Sequence, residues 1–324
     1  MVCFFLPGNT FLSHLFLKVL HIGIFSHIKY NKKACGVSME NVNWDQLFYY
    51  EDLTAYAKYL ASHYPDYVSY TCIGRSYDNR DIFLLKIGRG KKNILLTAGV
   101  HGRESINPMV LLSMAEFYCE EWRDYLLTVT IYMVPLVNPD GYVIAVQGFD
   151  GIKNGHLKKQ ALRMNLPFYQ WKFNGRGVDI NRNFPASSWR RKKTGDYPGS
   201  EYETAALMQL MQEIPFTGYI DYHSRGKEIY YYRNALSERY NQEQKRLGEL
   251  IAALTDYQLL PPSEEIEPGD SGGNTVQYYS EVFKKPAITV ETVENEAMFP
   301  LSPHYQRVVF EEIKMTPFVL LKNE

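Results

Sequence analysis

The chain has 324 residues, enough for one α/β domain of about 250–300 residues with an ample core. Hydrophobic residues make up 45% and charged residues 22%, and 35 basic against 36 acidic side chains leave a formal net charge of −1, which argues against a nucleic-acid or other polyanion partner. Cys3, Cys35, Cys72 and Cys119 lie far apart with no C-x-x-C pair, so no disulfide staple is indicated and the thiols read as buried or incidental.

Residues 1–38 form an apolar extension of uncertain status. It has no basic residue before Lys18, Pro7, His14 and His21 interrupt it, and Lys29, Lys32 and Lys33 follow the apolar run 4–28 instead of preceding it. That order suits neither a secretory signal nor a spanning helix. Two readings stay open: residues upstream of a start at Met39, or a marginal membrane anchor, which alone would bring membrane contact. The compartment is open too, with the cytoplasm favoured over a secreted or anchored location. The main domain is expected over 39–324.

From Met39 onward, strand and helix patterns alternate. Residues 45–63 carry Leu47, Leu53, Tyr56, Ala57 and Leu60 at helical spacing and stop before Pro65. Residues 68–73 and 82–87 read as paired strands joined by a turn at Asp78-Asn79. The apolar run 93–100 suits a strand covered on both faces. Asn107-Pro108 then opens a helix to about Trp122, with Asn as N-cap and Pro in the first turn. After a strand at 128–134, Asn138-Pro139-Asp140-Gly141 reads as an architectural turn. The Gly-, Asn- and Lys-rich stretch 141–200 reads as a long functional loop that hides some short elements. Helices at 201–212, 237–255, 275–283 and from about 303, with strands at 217–222, 228–232 and 286–290, complete the pattern. The fold class expected is α/β, a mostly parallel mixed central sheet with helices on both faces.

Ligands in such sheets bind beyond the carboxyl ends of the strands. Strand 93–100 runs into His101-Gly-Arg-Glu104, strand 217–222 into Asp221-Tyr-His223, and strand 286–290 into Glu291. His101 and Glu104 are three apart at a strand-to-helix turn, close enough to meet on one cation, and His223 adds a third donor from another strand. Two imidazoles and one carboxylate are a favoured set for catalytic zinc, with a fourth position left for a water that the ion acidifies toward neutrality. A lone H-x-x-E is common by chance; the strand-end placement of the second histidine and of Glu291 gives it weight.

The stretches TAGVHGRES, NPDG, GVDINRNFP, SEYET, DYHS and ITVET occur in that order, and over roughly residues 45–320 the chain resembles the zinc carboxypeptidases related to carboxypeptidase A. The resemblance implies a zinc-dependent peptidase, a hydrolase with one Zn2+ per chain held by His101, Glu104 and His223. It implies Glu291 as the general base that takes a proton from water and passes it to the leaving amine. Asn181 and Arg182 match the pair that grips the substrate's terminal carboxylate. Arg176 is the candidate for polarising the scissile carbonyl, with Arg163 as its rival, and Arg103 is a candidate for an outer substrate subsite.

Residues 268–273, PGDSGG, look like the surroundings of a serine-protease nucleophile, but that fold is all-β and no Ala-Ala-His-Cys stretch occurs. Ser271-Gly272-Gly273 resembles instead the loop that precedes the helix leading to the catalytic strand. Digestive carboxypeptidases carry a substrate-closing tyrosine just before the paired glycines; here the stretch is Glu267-Pro268-Gly269-Asp270, with Tyr278 or Tyr279 as possible substitutes. Thr275, near the pocket-floor position, is neither acidic nor bulky. FNGRGVDINRNFP and HSRGKEIYYY are closer to the bacterial subgroup that cleaves γ-D-glutamyl-meso-diaminopimelate bonds in peptidoglycan peptides. Arg225 then either meets the additional carboxylate of diaminopimelate or is a surface arginine. The reading is a peptidase of peptides or muropeptides that cuts a peptide or isopeptide bond next to a carboxylate-bearing residue. The alternatives are a metallocarboxypeptidase of broader specificity, an N-acyl amino acid deacylase, and a non-catalytic cell-wall peptide binder.

Overall fold

A computed structural model of the chain describes residues 44–192, 194–264 and 272–321. The extension 1–38, Cys3, Cys35, Ser271 and the stretch 267–270 lie outside the described residues. Among the described residues, eight strands, β1 (Val68–Arg75), β2 (Asp81–Gly88), β3 (Lys92–Ala98), β4 (Val129–Val134), β5 (Gly218–Ser224), β6 (Glu228–Tyr230), β7 (Gln258–Leu259) and β8 (Ala287–Thr292), form one mixed sheet in the order β1-β2-β4-β3-β5-β8-β6-β7. The four central strands β4, β3, β5 and β8 run parallel, while β2 joins β4 and β6 joins β8 in antiparallel fashion.

The centre of the sheet is covered on both faces. Successive side chains of a strand point to opposite faces, and Ile94, Leu95 and Leu96 of β3 are all completely buried, each contributing roughly 2 kcal/mol of apolar burial. Eight α-helices are present among the described residues: α1 (Tyr50–His63), α2 (Asn107–Glu121), α3 (Pro139–Gln147), α4 (Gly155–Leu162), α5 (Tyr202–Glu213), α6 (Glu238–Thr255), α7 (Thr275–Phe283) and α8 (Tyr305–Ile313). One core cluster joins Leu95 and Tyr219 of the sheet to Leu207, Leu210 and Met211 of α5 and to Val276 and Tyr279 of α7. None of these helices is long and apolar enough to cross a membrane.

Two local readings of the sequence change here. Asn138-Pro139-Asp140-Gly141 is the start of α3: the Asn138 side chain caps it by accepting from Gly141 N at 2.9 Å, with Pro139 in the first turn. Asp140 is buried and binds Ser76 Oγ at 2.7 Å and Arg80 at 2.8 Å, which pins α3 to the β1–β2 turn. Asn107 does not cap α2, because Ile106 holds the N-cap position. Its side chain serves the sheet instead: Nδ2 donates to the His223 carbonyl at 2.8 Å, and Oδ1 accepts from Thr292 at 2.9 Å. Asn107 thereby joins the ends of β5 and β8, where two of the candidate residues sit.

Candidate metal centre

β3 ends at Ala98, and a turn closed by Glu104 N donating to His101 O at 3.2 Å brings both side chains to the carboxyl edge of the sheet. Gly102, between them, has no room for a side chain: a Cβ there would lie 2.3 Å from the backbone of Gly141 at the start of α3. The parallel ladder between β5 and β8 runs two residues further than the sequence suggests. His223 and Glu291 are therefore register partners inside strands, and their side chains leave the sheet on the same face.

His101, Glu104 and His223 converge. One ligand atom from each lies within 4.8 Å of the other two, with His101 Nδ1 at 2.6 Å from Glu104 Oε1 and His223 Nδ1 at 3.0 Å from Glu104 Oε2. Zinc bonds of about 2.0–2.1 Å at tetrahedral angles place donor atoms about 3.3 Å apart, so the cluster has the scale of one such ion. Each imidazole turns its other nitrogen toward a separate carboxylate: His101 Nε2 lies 3.3 Å from Asp179 Oδ1, and His223 Nε2 lies 3.0 Å from Asp221 Oδ2. An outer carboxylate on Nε2 holds the tautomer whose Nδ1 lone pair faces inward, as a ligand requires. The residues present fit a zinc ion.

The cluster concentrates opposite charges in a small space. Burial opposes charge on His223 and His101, but Asp221 and Glu104 beside the first, and Glu104 and Asp179 beside the second, outweigh it and raise both above the usual histidine range. Burial would raise Glu104, yet the two histidines pull it down to about 2. Glu291 goes the other way: burial, with Glu104 and Glu228 adding to it, pushes its carboxyl up to about 8 against the pull of His223 and His101. A bound dication shifts that balance toward the ionised form.

The cluster opens onto a cavity of about 590 Å3 lined by His101, Glu104, Glu291, Arg103, Asn181, Arg182, Arg225 and Lys172, among others. The sequence thus points to most of the wall, with corrections. Arg176 does not line this cavity: its guanidinium stacks on Tyr77 at 4.9 Å, donates to Tyr77 OH at 2.8 Å and meets Glu201 at 3.3 Å. Arg163 is an exposed residue at the end of α4 and does not line it either. Lys172 does, with Nζ 2.7 Å from Asp179 Oδ2. Tyr278 and Tyr279 are core residues, and the Tyr279 hydroxyl donates to Phe216 O at 3.0 Å. Thr275 is fully buried, with its hydroxyl donating to Asp221 at 2.5 Å and its N–H donating to Asn181 Oδ1 at 3.2 Å. Gly273, at φ +73°, packs against the backbone at Phe184, so this glycine serves a close chain crossing.

Asp179 and Asp221 were missed as site residues, although signals existed. Asp221 stands two residues before His223 in a strand, hence on the same face, and Asp179 lies inside the GVDINRNFP motif. Lys172 and Phe299 sit in irregular segments where no periodicity marks an inward side chain.

A model of the zinc carboxypeptidase family matches residues 53–306. The protein YqgT of Bacillus subtilis (strain 168) is 32% identical over 191 residues, 51% of this chain and 50% of its own length. Gamma-D-glutamyl-L-diamino acid endopeptidase 1 of Lysinibacillus sphaericus is 26% identical over 294 residues, 81% of this chain and 69% of its own. The match therefore spans only half the length of the first relative. Among solved structures, carboxypeptidase A from Helicoverpa armigera superposes with a TM-score of 0.70 at 20% identity, covering 89% of this chain and 77% of that one, which establishes the carboxypeptidase-like fold.

Proposed function

We propose a function for this chain from one premise: it belongs to the zinc carboxypeptidase family. The function is hydrolysis of a peptide or isopeptide bond next to a residue with a free carboxylate, and the substrate we assign is the γ-D-glutamyl-meso-diaminopimelate linkage of peptidoglycan peptides. The observation that carries the reaction class is the convergence of His101, Glu104 and His223 within 4.8 Å, with Glu291 paired in register to His223. The substrate assignment has narrower support, from the sequence pattern around GVDINRNFP and HSRG and from the Lysinibacillus sphaericus relative, whose name specifies a γ-D-glutamyl-diamino acid bond.

His101, Glu104 and His223 would hold one zinc ion, which when bound supplies Lewis-acid polarisation of a carbonyl and lowers the pKa of water. Glu291, on the same face of the sheet, takes a proton from the attacking water and delivers it to the departing amine. Lys172, held at 2.7 Å by Asp179, faces the cavity with a fixed positive charge and takes the carbonyl-stabilising role first assigned to Arg176. Asn181 and Arg182 grip the carboxylate of the leaving residue, with Asn181 fixed from below by the Thr275 N–H.

The test is metal analysis of the purified protein, followed by mass spectrometry of products from a defined muropeptide mixture with and without chelator. Stoichiometric zinc and chelator-sensitive release of diaminopimelate-containing product are expected. Acyl-amino acids and ordinary C-terminal peptides in the same assay decide between this reading and a deacylase or a broader carboxypeptidase. Stoichiometric zinc with ligand binding but no hydrolysis would make the protein a binder.

A further inference from the structure

Two cations of the cavity wall have no role in the reaction above. Arg103, between the ligands His101 and Glu104, and Arg225, two residues past His223, both lay their guanidinium against one ring, Phe299, at 4.5 Å and 5.7 Å from its centre. Both are half-buried. Neither forms an ion pair with any described residue, and the Nε of each is buried without a hydrogen-bond partner among them. The polar contact given to Arg225 is a neutral one, NH1 donating to Asn295 Oδ1 at 2.9 Å. Lys172 is different, since Asp179 answers its charge.

Two like charges on one aromatic ring, without a carboxylate, form an arrangement that an anion stabilises. The wall they occupy is built from the segments that follow β3, β5 and β8. Asn181 and Arg182 come from the 171–182 segment with Lys172 and Asp179. If that second group holds the leaving residue's carboxylate, Arg103 and Arg225 face the acyl side of the scissile bond.

We propose that Arg103 and Arg225, ordered by Phe299 and Asn295, form a second anion subsite that reads a free carboxylate on the acyl-side residue. This rests on the reading of Asn181 and Arg182 given above, and it moves Arg225 away from the second carboxylate of diaminopimelate. A γ-linked glutamyl residue meets the requirement: its side-chain carboxyl is in the scissile bond, so its α-carboxylate stays free beside it. The subsite therefore selects γ-linked acidic residues over their amides and over α-linked neutral residues, and the ligand is a planar carboxylate suited to a bidentate guanidinium.

The test uses a matched pair, L-alanyl-γ-D-glutamyl-meso-diaminopimelate and the same tripeptide with the glutamyl α-carboxylate converted to a carboxamide. Loss of one charge-assisted contact predicts a kcat/KM lower by about 10- to 100-fold on the amide for the zinc-replete wild type. Arg225→Gln and Arg103→Gln should reduce the rate on the acid and bring the acid-to-amide ratio toward one, with zinc stoichiometry and melting temperature confirming that the variants fold. Equal rates on both peptides with wild type, or an undiminished ratio in Arg225→Gln, would overturn the subsite. If neither peptide is hydrolysed, the proposed reaction fails on its own account. Calorimetric binding of the same pair to zinc-loaded wild type and Arg225→Gln then decides the subsite: tighter binding of the acid, lost in the variant, supports it, and equal binding sinks it.

Discussion

Replacing Asp221 by asparagine separates the charge behind His223 from the geometry that holds it. The carboxylate is completely buried and takes three donors: His223 Nε2 at 3.0 Å and Thr275 Oγ1 at 2.5 Å on one oxygen, Thr97 Oγ1 at 2.6 Å on the other. Asparagine has nearly the same shape, with one acceptor oxygen and one NH2. With its oxygen toward His223 and Thr275, its NH2 meets the Thr97 hydroxyl. That hydroxyl is able to accept, because its own hydrogen has an alternative partner in Tyr219 OH at 2.7 Å. The hydrogen-bond pattern survives and the negative charge does not. Losing an outer carboxylate from a metal-bound histidine costs about 10- to 100-fold in metal affinity, or about 1.4–2.7 kcal/mol. Competition with a chromophoric chelator measures the zinc Kd directly, without reference to turnover. The expected result is a Kd raised within that range, while Thr97→Val, which leaves the Asp221 charge in place, binds zinc close to the wild-type level. Wild-type affinity in Asp221→Asn, or equal damage from Thr97→Val, would refute the electrostatic argument.

Glu291→Gln is expected to keep its zinc and lose about 10²- to 10⁴-fold in kcat, the usual contribution of a general base; undiminished hydrolysis in a metal-replete sample would remove the assignment. Lys172→Ala should lower kcat by about 10²- to 10³-fold, whereas Arg176→Ala should mainly lower the melting temperature, since that guanidinium binds Tyr77 and Glu201. A larger kcat loss in Arg176→Ala would return the role to Arg176. Glu203 gives a pH test away from the site: burial, with the charges of Asp140 and Glu201 adding to it, pushes its carboxyl from 4.5 up to about 8. A folded value above the unfolded one means that its contribution to stability is complete below pH 4.5 and is lost as the pH rises through about 8. Urea titrations of Glu203→Gln and wild type should diverge between those values, with the variant the more stable at high pH, and parallel curves would contradict the shift.

The candidate metal cluster was legible in the sequence because the parallel sheet turns strand ends into addresses: three apolar runs each end in a polar group, and the fold brings those ends together. What was not legible depended on contacts across distant segments. Asn107-Pro108 has the local form of a capped helix start, yet the Asn107 side chain is drawn off by the carbonyl of His223, 116 residues away. Asn138-Pro139-Asp140-Gly141 contains two turn-favouring dipeptides, and only the buried Ser76 and Arg80 on Asp140 explain why it opens a helix. Lys172 and Arg176 are four residues apart in a stretch without periodicity. The proposed choice of Lys172 rests on Tyr77 and Glu201, which capture Arg176, and on Asp179, which holds Lys172 at the cavity wall.

Those distant contacts also join the candidate metal ligands to the residues proposed to recognise a carboxylate. Asp179 accepts the Asn181 N–H at 3.1 Å, holds Lys172 and lies against His101. Asn181 Oδ1 accepts the Thr275 N–H, the Thr275 hydroxyl binds Asp221, and Asp221 holds His223. His223 and His101 then meet on Glu104, so the contacts close into a ring through His101, Asp179, Asn181, Thr275, Asp221, His223 and Glu104. In a chain of separate supports, the residue that grips a carboxylate could shift without moving the imidazoles. In a closed ring, a displacement of Asn181 is transmitted through Asp179 to one imidazole and through Thr275 and Asp221 to the other. On the proposed function, the span from the ion site to the carboxylate grip is set by this one closed ring of contacts, which would leave an incoming chain one register in which its carboxylate and its scissile carbonyl are both engaged.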